Sequence, residues 1–345
     1  MKKRVKITCI VAVSCILLGL LIVLGASLKI GFDYKSLNTV TLETKTYTAE
    51  EPFQNIDIES IWSNVYFAFA EDGQCRVECT ETARQTCAVS VQNNTLTVKQ
   101  KDSRLWYENF GFFWGTTDET EMKITVYLPD KNYQKLQINA QSGAAFVDEE
   151  FTFNTADIAT MSGNIRFLGS ANETLTVHSN SGLIRVEKVN VKVLEAGNMS
   201  GNIIFSSVQA QEDMTLNSNS GILNLEDVQA KSFSAGTMSG NILFRTVRVQ
   251  ENMTLNSNSG ILNLEDVLAK TFSAETMSGN VLFKNSDADK LEIHTGSGSV
   301  RGNLLSKKNF DVSTSGGTVD VPYSDSNAGL CSVTTTSGNV SLHTP

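Results

Sequence analysis

Histidine is scarce in this chain of 345 residues, which holds three, and cysteine is thin, at six. Two of the cysteines, Cys9 and Cys15, lie in an apolar run, and Cys331 stands alone. Cys75, Cys79 and Cys87 are close enough that one pair could be bridged across neighbouring strands, but six cysteines so placed are no disulfide scaffold. Zinc would need a fourth ligand, usually histidine, and none lies near them. No D-x-D-x-D-G loop or G-G-x-G-x-D repeat offers calcium a site. Phosphate loops and G-x-S-x-G elbows are missing too. The expectation is a non-enzyme without metal or cofactor.

Charge is unevenly spread. Residues 1–35 hold six Lys or Arg against one Asp, contributing +5 to a whole-chain charge of −9, so the remainder carries −14. An acidic domain binds polyanions poorly, which argues against nucleic acid as a partner. After Lys2, Lys3, Arg4 and Lys6 comes an unbroken run of 22 residues, Ile7 to Leu28 (ITCIVAVSCILLGLLIVLGASL). As a helix it would be roughly 33 Å long, enough to cross the hydrocarbon core. Gly25-Ala26-Ser27 matches an A-x-A cleavage site poorly, and the run continues past the lipoprotein-like Ala12-Val13-Ser14-Cys15. We therefore expect an uncleaved anchor. The flanking basic residues place the N-terminus in the cytoplasm and the C-terminal domain outside the cell membrane, which is crossed once.

What the chain has in abundance is repetition. MTLNSNSGILNLEDV stands at 214–228 and again at 253–267, and residues 214–244 match 253–283 at 27 of 31 positions. Ser-Gly, or Gly-Gly once, recurs with its first residue at 142, 162, 181, 200, 220, 239, 259, 278, 297, 316 and 337. These mark eleven units of 19 to 21 residues. Counting from that first residue as zero, position −4 is apolar or Ala throughout, from Ile138 through Leu216 and Ala235 to Val333. Positions +3 and +5 are apolar as well, as in Ile203/Phe205, Leu223/Leu225 and Ile242/Phe244. Period two on both sides of the glycine reads as strand, turn, strand. Further apolar positions near +8, +10 and +13 predict three short strands per unit. No unit can bury its apolar side alone, so the units stack into an all-β, parallel β-solenoid (β-helix), a rod roughly 50 Å long at about 4.8 Å per coil. Glycine is expected at the corner for positive φ or close approach, with Ser and Thr at 0 and −2 pointing inward. The doubled stretch is thus two turns of one frame.

The expected organisation is a basic tail (1–6), a transmembrane helix (7–28), a linker (29–52), irregular β coils (53–137) and the regular solenoid (138–345). In the irregular region FQNIDIES, NNTLTV and ITVYLP alternate apolar and polar residues, and Pro129 ends the last strand before the regular coils. With the later TMSGNIRF, TMSGNILF and TTSGNVSL, these segments resemble the bacterial putative-adhesin family of membrane-anchored β-strand-repeat proteins. The resemblance covers 53–345 and implies a β-solenoid and adhesion. Some relatives are associated with envelope-stress systems, which implies a second reading, a structural or regulatory partner of an envelope-stress membrane complex.

Outward columns supply the candidate chemistry. Position +6 reads Glu187, Ser206, Glu226, Arg245, Glu265, Lys284, a charge ladder. Glu226 and Glu265 would stand roughly 9.6 Å apart, the spacing of an inverting glycosidase pair, but Arg245 between them keeps both ionised. His178 and His294 share column −3 six coils apart, and His343 sits in another column, so no two can serve one centre. Two binding candidates remain. RLWYENFGFFWG packs Trp106, Tyr107, Phe110, Phe112, Phe113 and Trp114 into nine residues, as a lid on the first coil or an anchor for membrane or partner. Met199, Ile204, Met238, Leu243, Met277 and Leu282 form an interrupted apolar stripe in alternate coils. The expected function is an adhesin-like or cell-envelope-binding module, its partner an envelope polymer, a host surface or a membrane protein. The chain stops after an eleventh coil without a capping helix, which predicts an open edge able to pair with another chain.

Overall fold

A computed structural model describes residues 2–29, 31, 41–104 and 122–345. The first described element is a helix, Lys2–Lys29, whose stretch Ile10–Lys29 is long and apolar enough to cross a membrane. All other regular elements among the described residues are strands, from Glu43–Ala49 to Val340–His343, joined in one continuous hydrogen-bonded sheet. Glu43–Ala49 lies within the stretch expected as linker and pairs antiparallel with Cys75–Glu81.

The repeat is a parallel β-solenoid. In one coil the strand Asp213–Ser218 leads to the Ser220-Gly221 corner, and Leu223–Ala230 follows, bending at Asp227. Successive coils pair in register: Met214 with Phe233, Phe233 with Met253, and Met253 with Phe272. The inward positions −6, −4, +3, +5, +8 and +10 are buried (Met214, Leu216, Leu223, Leu225, Val228, Ala230), each apolar side chain stabilising by about 1.5–3 kcal/mol. Large and small residues alternate along the columns. Where −4 is Leu (Leu216, Leu255), −6 is Met; where it is Ala (Ala235, Ala274), −6 is Phe and packs edge-on against the Phe at +5, 5.3 Å for Phe233–Phe244 and 5.5 Å for Phe272–Phe283. The 39-residue duplication is therefore a packing period: a small residue at −4 is compensated by large ones at −6 and +5 of the same coil, and the pattern recurs every second coil.

The two corners obey opposite rules. At the Ser-Gly corner the glycines have no positive φ; a Cβ on Gly260 would run into the carbonyl of Gly240, and one on Gly240 into that of Gly221. Glycine is present because backbones stack too closely for any side chain. The residue at −2 is buried and its oxygen accepts the glycine N–H, as in Gly221 N to Ser218 Oγ at 3.0 Å, Gly240 N to Thr237 Oγ1 at 2.9 Å and Gly201 N to Asn198 Oδ1 at 2.8 Å. The serine at zero does not point inward as expected. It is exposed, and Ser239 Oγ donates to Asn219 O from outside at 3.4 Å. At the second corner, position +7, φ is left-handed in six successive coils: Lys188, Ser207, Asp227, Thr246, Asp266 and Asn285, all between 50° and 56°. None is glycine; Asp227, Asp266 and Asn285 tolerate the conformation, but Lys188, Ser207 and Thr246 do not announce it.

Both ends of the stack depart from sequence order. At the first end, strands 55–60 and 64–69 lie inside strands 95–102 and 123–128, and Gln85–Gln92, Cys75–Glu81 and Glu43–Ala49 close over them as antiparallel strands. At the other end, Gly329–Thr335 inserts between the strands at 287–295 and 308–314, and Val340–His343 between 300–303 and 319–320. The last coil in sequence is therefore internal, and the coil at 308–320 forms the edge. The expected open edge is also partly covered. Ser324 Oγ bonds both the N–H and the carbonyl of Phe310 (2.9 and 3.1 Å), and Asp325 N–H donates to Lys308 O at 3.0 Å. Lys308 itself is buried and paired with Asp287 at 2.6 Å.

Candidate functional site

Along the Ser-Gly corner, positions −1, +2 and +4 face solvent. Among the described residues outside the helix, ten large apolar side chains are exposed, and six of them are on this corner: Met161, Met199, Met238 and Met277 at −1, and Ile222 and Ile261 at +2. Met277 is 68% exposed. Exposed apolar side chains gathered on one edge, unlike singly scattered ones, make that edge the candidate contact site.

The local sequence explains the pattern. In M-S-G-N coils the Asn at +2 turns toward the neighbouring coil: Asn202 Oδ1 accepts from Ile222 N–H and Asn241 Oδ1 from Ile261 N–H, both at 2.9 Å. That leaves the +2 side chain of the neighbouring N-S-G-I coil free to be apolar. At +4 the alternation is reversed, since Ile204 pairs with Asn224, Asn224 with Leu243, Leu243 with Asn263, and Asn263 with Leu282. Ile204, Leu243 and Leu282 are half-buried. The outcome is a checkerboard of apolar and amide side chains over the coils at 200–278, roughly 19 Å long at the strand spacing. Arg185 and Arg301 occupy +4 in the coils flanking it and bound it at both ends.

The +6 ladder runs along one side. Arg245 lies 3.7 Å from the carboxylate of Glu226 and 3.5 Å from that of Glu265, and Lys284 also pairs with Glu265. The hydrogen bond from Lys284, helped by Arg245, holds the Glu265 carboxyl below the usual carboxylate range. A group so held is a poor proton donor, and the two glutamates act as a ladder. His178 faces Gly197 of the next coil, and His294 lies 3.5 Å from Glu292.

The structure thus brings Met199, Met238 and Met277 to the corner and Ile204, Leu243 and Leu282 to the adjacent face. Ile222 and Ile261, which connect the two sets, were missed by the sequence reading. Their signal was present, as alternation of Asn and Ile at +2, but +2 carries meaning only once the Asn hydrogen bond is known. Trp106, Tyr107, Phe110, Phe112, Phe113 and Trp114 lie outside the described residues.

The Toastrack DUF4097 family model matches residues 53–227, 170–265 and 228–345. Among solved structures, a putative adhesin from Bacteroides fragilis is 15% identical over 88% of this chain and 97% of its own, with a TM-score of 0.39. A putative adhesin from Parabacteroides merdae is 14% identical over 77% and 97%, with a TM-score of 0.44. A putative lipid binding protein from Parabacteroides distasonis is 16% identical over 77% and 98%, also with a TM-score of 0.44. No curated protein matches the sequence.

Proposed function

This chain belongs to the Toastrack DUF4097 family, and from that premise we propose that it is an adhesin-like, cell-envelope-binding module, held at the membrane by its N-terminal helix with the solenoid outside. The observation that carries the reading is the corner checkerboard, where five exposed apolar side chains, Met199, Ile222, Met238, Ile261 and Met277, share one edge of a regular rod. Its amides and aliphatic groups offer contact and hydrogen bonding along an extended ligand, with no nucleophile among them. The neighbouring charge ladder sets the register of such a ligand more than its affinity, since exposed ion pairs contribute little.

The test is co-sedimentation of the full chain, in mild detergent, with cell-wall sacculi of the source organism. Saturable binding that drops at least tenfold in Ile222→Lys/Ile261→Lys supports the module and its face. Binding that is unchanged in this variant moves the site elsewhere. A folded protein that does not bind removes the cell wall as target, and membrane-protein capture that requires the N-terminal helix then favours the envelope-stress partner.

A further inference from the structure

Cys79 and Cys87 lie on strands that make no backbone ladder with each other. Cys79 belongs to Cys75–Glu81, at the first end of one column, where it faces Lys45 on one side and Ile124 on the other. Cys87 belongs to Gln85–Gln92, the outermost strand of the other column, and faces Gln100. Both side chains nevertheless close over the same end of the core, near enough that Cys87 pushes the Cys79 thiol up. Cys79 is fully buried and Cys87 nearly so. Glu81 fixes the approach: its Oε1 accepts from Cys87 N–H at 2.8 Å and from Tyr47 O–H at 2.6 Å, while Lys45 pairs with the same carboxylate at 3.0 Å. Cys75 lies four residues before Cys79 on an extended strand, roughly 13 Å away.

We propose that Cys79 and Cys87 are joined as a disulfide in the mature protein, a staple that ties the closing strands of the two columns together over the first coil. The oxidant is a disulfide of the oxidising side of the membrane, so the inference rests on the extracytoplasmic placement. One cysteine thiolate attacks a sulfur of the oxidant, R–S–S–R, releasing one R–S⁻ and leaving a mixed disulfide. The second cysteine thiolate attacks the protein sulfur of that mixed disulfide and releases the other R–S⁻. The protein loses two electrons, the oxidant gains them, and the two thiol protons end on the two R–SH molecules. The neighbouring Cys87 and burial disfavour the Cys79 thiolate in the closed cap, so the disulfide forms while the cap assembles and resists reduction afterwards.

Trypsin makes the assignment direct. Cleavage after Arg76, Arg84 and Lys99 puts Cys79 on peptide 77–84 and Cys87 on peptide 85–99, with Cys75 on a third peptide. The full chain is taken from its own membrane with free thiols blocked at lysis and digested without reductant. The expected result is the 77–84/85–99 linked peptide, 2 Da lighter than the two thiol peptides together, with Cys75 and Cys331 alkylated. Reduction should also lower the thermal midpoint by about 5 °C, a shift absent from Cys79→Ala/Cys87→Ala. Free Cys79 and Cys87, or linkage to Cys75, overturns the proposal. Refolding the chain in glutathione disulfide then locates the error: the 79–87 link forming there faults the extracytoplasmic placement, and its failure to form faults the pairing itself.

Discussion

Replacing Gly260 with Ala tests the stacked-corner argument most directly. Gly→Ala at a compatible surface position ordinarily stabilises by about 0.4–1 kcal/mol, because it restricts the unfolded chain. Here the added methyl would enter the carbonyl group of Gly240, and that coil is itself seated on Gly221. The obstacle is backbone, the carbonyl of Gly240 and the N–H of Asn241, so no rotamer change relieves it. Coil spacing would have to open at this corner while the flanking ladders Thr237–Ser257 and Leu243–Asn263 hold it closed. Overpacking of this kind costs about 1–3 kcal/mol. If the corner parts, Asn258 N–H loses Thr237 O of the neighbouring coil, about 1 kcal/mol. The expected loss is about 2–4 kcal/mol. Urea unfolding of the full chain in detergent, followed by circular dichroism at the β-sheet band, reads it as a lower midpoint. The slope should fall as well in a stack whose coils unfold in blocks. A midpoint equal to or above that of the parent protein would refute the close-approach explanation.

Other outcomes follow from the same geometry. Thr246→Asn, at a β-branched residue held at φ 56°, should raise stability by about 0.5–1 kcal/mol in the same urea titration. Ser257→Ala should cost about 1–2 kcal/mol, because the buried N–H of Gly260 loses its acceptor. Lys308→Met leaves Asp287 without its buried partner and should cost about 3 kcal/mol, read by the same method. Burial alone would raise the Glu81 carboxyl, but hydrogen bonds from Tyr47, Cys87 N–H and Lys45 together hold it below its ordinary 4.5. Its stabilisation is therefore full above that value and is lost as pH falls through the lowered folded value. Hydrogen exchange in strands 43–49 and 85–92 should accelerate in acid, and Glu81→Gln should exchange fast already at neutral pH.

The frame was legible because it repeats. Period two about each Ser-Gly mark, with apolar residues at −4, +3 and +5, leaves a stacked parallel sheet as the one arrangement that buries every unit. The N-terminal apolar helix was equally plain from its length and uniform apolarity. The stripe was half legible: Met199, Met238 and Met277 showed as a column, but Ile222 and Ile261 did not. Their exposure depends on an Asn side chain in the adjoining coil, a contact between residues 20 positions apart.

By itself, then, the sequence determined the unit, its apolar inward columns and the 39-residue duplication, since these are local patterns that stacking must respect. Tertiary structure alone decided three matters. Glycine is required by the neighbouring backbone and not by its own φ, which no single unit can reveal. The second corner is left-handed whatever residue occupies it, because closing the coil over a filled core overrides side-chain preference. And the coils at both ends stack out of sequence order, with 329–343 slipped inside 308–320. Interchangeable coils carry almost no information about which neighbour is which, so order at the ends is settled by burial of the last apolar layer and not by local pattern.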